Sequence, residues 1–307
     1  MTTPEVSVII PSYNRWPGVC CAIDSVLDQS YPGVKCIVVD DASGDGSSEK
    51  LLDKYADAIV VVSNPENRGQ SYSRNIGVKK ASSEYLCFLD SDDVLTPDAV
   101  RDRMDIYAED PDFEGVSFGL CVSESRGDKK HLLEQKSAGE RLGISEYLQN
   151  KSWVRNNSYI IPRRVMSSIG MYNVELFNRE DVELFLRLLS QVEFRFCGSI
   201  VSLVREQGDD RARDDFERIF RQKDTFYRVI ERNEQLVSKL SSTELNTLQV
   251  FDLIEPLRGY YNTGKYAQYR ALYRDITRQK QLVLNKRFKK RYYVSYVLQF
   301  FKQAPGS

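Results

Sequence analysis

The segment Val6–Arg15 has the sequence VSVIIPSYNR, in which an apolar run passes directly into a polar cluster. The same pattern follows three more times, with apolar runs at Cys36–Val39, Ile59–Val62 and Tyr85–Leu89. Continuous apolar runs of this length are typical of parallel strands that are buried on both faces. The four runs therefore predict strands of a parallel sheet.

Helical patterns connect these runs. Apolar side chains recur at helical spacing over residues 19–27, and Thr96 followed by Pro97 is a start signal for a helix that runs to about Asp110. Strands that alternate with helices predict an α/β fold with a mostly parallel sheet flanked by helices. The other predicted elements are helices at 47–55, 70–81, 144–148 and 181–190, strands at 115–122 and 159–161, a loop at 123–130 and an extended segment at 194–204.

Composition excludes several classes of protein. A formal net charge of -1 argues against a protein that coats nucleic acid, which needs a broad basic surface. No apolar run reaches the roughly 18 residues of a membrane-spanning helix. The six cysteines form no CxxC pair, His131 is the single histidine, and no signal peptide is evident, so we expect a cytoplasmic protein whose catalysis depends on carboxylates.

The polar clusters are predicted to meet, because the carboxyl ends of parallel strands share one edge of the sheet. Asp90 and Asp92 follow the fourth run, and their alternate positions let both side chains face one ion. Oxygen ligands without histidine or cysteine suit Mg²⁺ or Mn²⁺. The alternative is a solvated acidic turn at the start of the next helix.

Three other polar positions have open alternatives. Asp41 could accept hydrogen bonds from a nucleotide or could shape an ordinary Asp-Gly turn, and Tyr13 could stack on a base or pack within its loop. Arg74 could hold a diphosphate or form an ion pair with Asp41 or Asp92. A dinucleotide-dependent dehydrogenase is excluded, because no GxGxxG follows the first run.

Taken in order, the motifs of the chain resemble those of glycosyltransferase family 2 over roughly Val6 to Arg205. The matching segments are VSVIIPSYNR (6–15), VVDDAS (38–43), NRG (67–69), SRNIG (73–77), LDSDD (89–93) and a later acidic motif that begins at Gly170 and includes NRED (178–181). The resemblance implies a GT-A, Rossmann-like fold, a nucleotide-sugar donor and inversion at the anomeric carbon.

The resemblance also implies roles for individual residues. Asp181 would be the general base, and Asp90 and Asp92 would hold the Mn²⁺ or Mg²⁺ ion. Asp41 would contact the nucleobase and Tyr13 would pack on it. The remaining residues expected to bind the nucleotide sugar are Pro11, Arg15, Arg74, Ser91, Asp93, Glu180 and Arg205, with Asp93 near the ribose or sugar and Arg205 near a phosphate.

The chain departs from the family at one point. Many relatives have a histidine after the last strand, where this chain has Gln207. A glutamine offers a hydrogen bond or a weak oxygen ligand and cannot act as an imidazole. The departure keeps a second interpretation open, a non-catalytic sugar-nucleotide-binding or scaffold protein of the same fold.

We expect a catalytic domain at 1–210, with a nucleotide-sugar half at 1–95 and an acceptor half at 96–210, and a helical C-terminal extension at 211–307 that contains helices at 214–239, 243–258 and 265–280. The expected activity is hexosyltransferase-type transfer from a UDP-sugar to a hydroxyl of a growing surface glycan, free or lipid-linked. A polar-aromatic group, Trp153 and Arg155–Ser158, could line the acceptor or be ordinary surface and core. Residues 286–301 combine basic and aromatic side chains, so they could contact the inner face of an anionic membrane or dock on the catalytic domain.

Overall fold

The computed structural model describes residues 3–123, 137–149, 154–205, 225–279 and 286–303. The chain divides into two compact units, Met1–Asp209 and Asp210–Ser307. The expected loop at 123–130 beyond Ser123, the residues His131, Trp153 and Gln207, and the expected domain boundary at 210–211 lie outside the described residues.

The first unit contains an eight-stranded sheet with the order β3-β2-β1-β4-β7-β6-β8-β5. β1 to β4 are parallel to their neighbours in this series, as the four apolar runs predict. β7 is antiparallel to both β4 and β6, β8 is parallel to β6, and β5 is antiparallel to β8. The α/β prediction is confirmed, and the two sheet directions mix only beyond β4. The strands are β1 Val6–Ser12, β2 Val34–Asp40, β3 Ile59–Ser63, β4 Tyr85–Phe88, β5 Val94–Leu95, β6 Val116–Ser123, β7 Tyr159–Pro162 and β8 Phe194–Val204.

Helices separate these strands. Those of the first unit are α1 Val19–Leu27, α2 Ser47–Tyr55, α3 Gln70–Lys80, α4 Ala99–Glu109, α5 Ile144–Gln149, α6 Arg163–Ile169 and α7 Glu180–Leu189, with short 3₁₀ helices at Ala56–Ala58 and Asn156–Ser158. The sequence did not predict α6, which begins directly after β7 with Pro162 as its N-cap residue. No polar turn separates the two elements, so the pattern contains no start signal.

Thr96 is not the N-cap of α4, contrary to the prediction. Its backbone N–H donates to the carbonyl of Val201 at 3.1 Å, and its hydroxyl donates to the carbonyl of Ile200 at 2.9 Å. The chain therefore first pairs β5 with β8, and the helix begins three residues later with Asp98 as the residue before it.

The second unit is helical, with α8 Thr225–Arg232, α9 Glu234–Val237, α10 Ser242–Asn262, α11 Tyr266–Gln279 and α12 Lys286–Gln303. The helix predicted at 214–239 is interrupted within its described part, because Asn233 separates α8 from α9 and caps α9 by accepting from the N–H of Leu236 at 3.0 Å. Its buried core contains Leu253, Leu257, Tyr269, Leu272, Ile276 and Phe288. Over the described residues of the chain, no helix is long and apolar enough to cross a membrane.

The strand order reverses at β1, because β2 and β3 lie on one side of it and β4 lies on the other. Ligands bind at such a switch point, in the crevice beyond the carboxyl ends of the strands. The strand ends remain joined there, since Asp41 N–H donates to the carbonyl of Ser12 and Asn64 N–H donates to that of Asp40, both at 2.8 Å. The polar clusters of β1, β2, β3 and β4 thus share one edge, as predicted.

Close packing between α3 and β1 sets the position of α3 at this edge. Gly77 on α3 faces Ile9 so closely that an added Cβ would lie 2.3 Å from Ile9 Cγ2. Only a residue without a side chain fits there. The contact matters for the site because the same helix carries Arg74 and Asn75.

We expect Gly77→Ala to destabilise the chain by about 1–3 kcal/mol through overpacking, despite a gain in helix propensity of about 1 kcal/mol. Urea unfolding measures the change. Gly143→Ala is the matched control, because an added Cβ at Gly143 meets nothing within 4 Å. An equal or higher free energy of unfolding for Gly77→Ala would contradict the packing argument.

Candidate functional site

The acidic turn Asp90–Asp93 follows β4 at the switch point. Asp90 and Asp92 are partly exposed, with 35% and 28% of their side-chain surfaces accessible. An oxygen of Asp90 accepts from Arg74 Nη2 at 2.7 Å, and an oxygen of Asp92 lies 3.7 Å from Arg15 Nη2. Ser91 between them is also partly exposed. The two predicted metal ligands therefore remain accessible from the crevice.

Asp93 differs from its two neighbours because it is buried, with 5% of its surface exposed. One oxygen accepts from the backbone N–H of Arg205 at 3.0 Å, and the other accepts from the side-chain amide of Asn157. Burial raises the pKa of Asp93 to about 7, with further contributions from the charges of Asp90 and Asp92. Asp93 thus attaches the turn to the end of β8, and its expected contact with a ribose or sugar stays a prediction.

Arg74 connects the acidic turn to α7. Its side chain is 1% exposed, and its guanidinium donates to Asp90 at 2.7 Å and to Glu180 at 2.9 Å. Nη2 also donates to Gln70, and the ring of Tyr172 lies 5.2 Å from Cζ. Burial lowers the pKa of Arg74, but the neighbouring acids outweigh it and the net shift is upward. The ion pair that the sequence allowed with Asp41 or Asp92 therefore forms with Asp90 and Glu180 instead.

Glu180 and Asp181 occupy the first turn of α7. Glu180 is 5% exposed, and burial raises its pKa to about 7 although Arg74 opposes the shift. Asp181 is partly exposed. Loss of hydration nevertheless raises the pKa of its carboxyl group, and the negative charge of Asp90 raises this pKa further. The hydrogen bond from Val182 N–H, at 2.8 Å, and the charge of Arg74 oppose this increase. A carboxylate of increased basicity thus lies within electrostatic reach of the acidic turn.

Asp41 holds the loop between β3 and α3. Its carboxylate accepts from Gly69 N–H at 2.7 Å, from Arg68 N–H at 3.1 Å and from the side-chain amide of Asn64 at 2.8 Å. Asp41 is 4% exposed. The structure therefore gives Asp41 a role in shaping the loop, and the expected contact with a nucleobase stays a prediction.

The loop after β1 forms the rim of the crevice. Asn14 N–H donates to Ser43 Oγ at 2.8 Å, and Asn14 Oδ1 accepts from Gly44 N–H at 2.9 Å, so the loops after β1 and β2 are joined. Tyr13 is 48% exposed, whereas Pro11 is buried at the strand end. An exposed aromatic ring at the rim is available for stacking, and the predicted contact with a base stays untested.

Sequence reasoning missed a buried polar network beneath the turn. Asn157 bonds to Asp90 N–H at 2.8 Å and to Asp93, while its neighbour Asn156 accepts from Tyr172 OH at 2.8 Å. Asn75 holds Tyr172 through both amide atoms, at 2.8 Å to its carbonyl and 3.0 Å to its N–H. The polar pattern at 155–158 was the available signal, and it left open whether these residues line the acceptor or are ordinary surface and core. Arg155 alone of this group is exposed.

Arg187 in the later acidic motif links α7 to the end of α6 and the residues that follow it. Arg187 donates to Glu183 at 2.6 Å and to the carbonyls of Ile169 and Met171, both at 2.6 Å. It is 7% exposed. These hydrogen bonds of Arg187 fix the segment that leads from α6 to Tyr172, whose ring lies beside Arg74.

The donor atoms fit a divalent ion that takes most of its ligands from elsewhere. In the parts of the chain that the structure describes, no group of three or more His, Cys, Asp or Glu side chains could hold a metal. Asp90 and Asp92 supply two partly exposed carboxylates, which is the usual protein share for Mg²⁺, with substrate phosphates and water completing the shell. The residues present thus suit the metal that the sequence predicts.

The raised pKa of Glu180 predicts a pH effect on stability. Between about pH 4.5, where an unfolded glutamate titrates, and about pH 7, the folded chain retains a proton that the unfolded chain has lost. Stability contributed by Glu180 should therefore fall as pH rises through this window, by at most about 1.4 kcal/mol per pH unit. Glu180→Gln should show a shallower fall in urea unfolding from pH 4.5 to 7. An identical slope in both proteins would contradict the assignment.

Known proteins resemble this chain in sequence and in fold. Residues 7–170 match the model of the family described as Glycosyl transferase family 2. A putative teichuronic acid biosynthesis glycosyltransferase, TuaG of Bacillus subtilis, is 32% identical over 61% of this chain and 73% of its own length. The crystal structure of S. aureus TarS 1-349 in complex with UDP-GlcNAc has a TM-score of 0.60 and 15% identity, covering 97% of this chain and 92% of that one, which supports the GT-A fold.

The match is partial for other relatives. An uncharacterized glycosyltransferase of Rickettsia felis is 28% identical over 68% of this chain, and the chain spans 36% of that relative's length. An uncharacterized glycosyltransferase of Rickettsia typhi is 30% identical over 61% of this chain, and the chain spans 59% of that relative's length. The family model nevertheless covers more than half of the present chain. On the motifs, the fold and these matches together, the chain belongs to glycosyltransferase family 2.

Proposed function

We propose that the chain is a metal-assisted inverting glycosyltransferase that moves a sugar from a UDP-sugar to a hydroxyl of a growing surface glycan. The observation that carries the proposal is the pairing of Arg74 with both Asp90 and Glu180. Because Asp181 follows Glu180, this pairing keeps a carboxylate of raised pKa within electrostatic reach of Asp90. The UDP complex of a structural neighbour and the name of TuaG support the choice of donor and of glycan.

The proposed reaction assigns removal of the acceptor proton and stabilisation of the leaving diphosphate to different carboxylates. Asp181 takes the proton of the acceptor hydroxyl while the hydroxyl oxygen attacks the anomeric carbon. The raised pKa of Asp181 makes this carboxylate a better base near neutral pH. The leaving diphosphate departs from the opposite face, so the configuration inverts. Asp90 and Asp92 would hold Mg²⁺ or Mn²⁺, which supplies charge neutralisation at the leaving phosphates when bound. Arg15 Nη2 lies 3.7 Å from Asp92, and the backbone N–H of Arg205 bonds to Asp93, so we expect the side chains of both arginines to serve as further cations for the diphosphate.

We expect Asp181→Asn to lower sugar transfer by roughly 10²- to 10⁴-fold, because the amide cannot accept the proton. UDP binding should persist, since the substitution leaves the Arg74 contacts in place. Transfer and donor hydrolysis with a panel of nucleotide sugars, with and without Mn²⁺, measure the first effect, and calorimetry with UDP measures the second.

Asp53→Asn, an exposed acid on α2, is the matched control and should retain native activity. Full turnover by Asp181→Asn would exclude its role as base. Donor binding by the native chain without turnover, over a full range of acceptors, would instead favour the non-catalytic sugar-nucleotide-binding protein, the interpretation that the replacement of histidine by Gln207 leaves open.

We further propose that α12 contacts the cytoplasmic face of an anionic membrane, where a lipid-linked acceptor would lie. Lys289, Lys290, Tyr293 and Tyr296 are exposed, the two tyrosines at 60% and 50%. Lys289, Tyr293 and Tyr296 recur at i, i+4 and i+7, so they lie on one face of the helix. Basic residues beside aromatic rings suit the interface of an anionic bilayer. The sequence also implicated Lys286, Arg287, Val297, Phe300 and Phe301, whose side chains the structure does not describe.

Charge reversal in Lys289→Glu/Lys290→Glu should weaken binding to phosphatidylglycerol vesicles by at least ~10-fold, at about 1 kcal/mol per basic residue near the surface. Flotation with phosphatidylglycerol and with phosphatidylcholine vesicles measures the effect. Lys79→Glu/Lys80→Glu, which reverses two exposed lysines at the end of α3, is the matched control. Equal flotation of native and α12-variant chains would exclude the membrane contact.

A further inference from the structure

Asn157 contacts both ends of the acidic turn with one side chain. It lies in the 3₁₀ helix before β7 and is 1% exposed. Its Oδ1 accepts from the backbone N–H of Asp90 at 2.8 Å, and its Nδ2 donates to the carboxylate of Asp93. A single planar amide therefore fixes the distance between the first and last residues of the turn.

The chemistry of the two contacts demands an amide. The N–H of Asp90 needs an acceptor, while the carboxylate of Asp93 needs a donor, and a side-chain amide presents both at once. An aspartate at 157 would face Asp93 with a second carboxylate. An alanine would leave the Asp90 N–H and an oxygen of the buried Asp93 without these partners, which is costly in a buried site.

Asn157 is itself held firmly. The hydroxyl of Ser158 accepts from Arg155 N–H and donates to Arg155 C=O, both at 2.8 Å, which closes the 3₁₀ turn. Asn156 is tied to Tyr172, whose backbone is held by Asn75 on α3. The residues on both sides of Asn157 are therefore held in place by hydrogen bonds.

We propose that Asn157 is a positioning residue that orients the carboxylates of Asp90 and Asp92 for a divalent metal. The inference rests on the proposed function, because it assumes that these two acids are the metal seat. Asn157 acts through the turn. Partners of this kind typically change metal affinity by about 10- to 100-fold when they are replaced.

Binding of Mn²⁺ in the presence of UDP tests the inference without depending on turnover. Free Mn²⁺ is measured by electron paramagnetic resonance in the native chain, in Asn157→Asp and in Asn157→Ala, and thermal unfolding is followed by circular dichroism. Gln29→Glu is the matched control. It makes the same amide-to-acid change in a side chain that bonds to Ser25, Thr96 and Val100, none of them a predicted site residue.

We expect Mn²⁺ affinity to fall about 10- to 100-fold in Asn157→Asp, with a shift in melting temperature no larger than that of Gln29→Glu, whose Mn²⁺ affinity stays native. If Asn157→Ala fails to fold, the isosteric Asn157→Asp decides the question. Native Mn²⁺ affinity in a folded Asn157→Asp, or an equal loss in Gln29→Glu, would overturn the positioning role and leave the proposed function standing. Absence of Mn²⁺ binding by the native chain with UDP would overturn both the metal seat and the role of Asn157.

Discussion

The buried positive charge of Arg74 is the constraint on which the rest of the site depends. A guanidinium that is 1% exposed must be paired, because an isolated charge away from water is strongly unfavourable. Its partners Asp90 and Glu180 lie 16 and 106 residues away along the chain. The requirement to provide partners for one buried guanidinium therefore joins α3, the end of β4 and the start of α7. The close contact of Gly77 with Ile9 lets α3 approach the sheet near enough to do so.

The three acids of the turn divide into two kinds because of their surroundings. Asn157 and the N–H of Arg205 draw Asp93 into the protein, where its raised pKa reflects burial and the neighbouring charges. Asp90 and Asp92 stay partly exposed at the crevice. One acid thus anchors the turn while the other two remain available for a metal and a diphosphate. Replacement of Asp93 would therefore disturb the positions of Asp90 and Asp92, although neither of these residues would itself be changed.

Much of the fold follows from local patterns, whereas much of the site does not. Four apolar runs predicted β1 to β4 and the shared edge, because parallel strands that are buried on both faces appear in the sequence as short continuous apolar runs. Thr96 was misassigned because a start signal for a helix is weaker than the pairing of β5 with β8. The partners of Arg74 could not be predicted, since they depend on a contact between distant segments. The role of Asn157 could not be predicted, because it depends on two hydrogen bonds, to Asp90 and Asp93, that form only in the folded chain.

The central claim, attack on the anomeric carbon opposite to the departing diphosphate, is tested most directly by the configuration of the released sugar. Hydrolysis of a UDP-α-sugar that the native chain turns over with Mn²⁺ can be followed by proton NMR before mutarotation equilibrates the anomers, with water as the acceptor. Inversion at the anomeric carbon predicts that the β-anomer of the sugar appears first. Initial release of the α-anomer would contradict it.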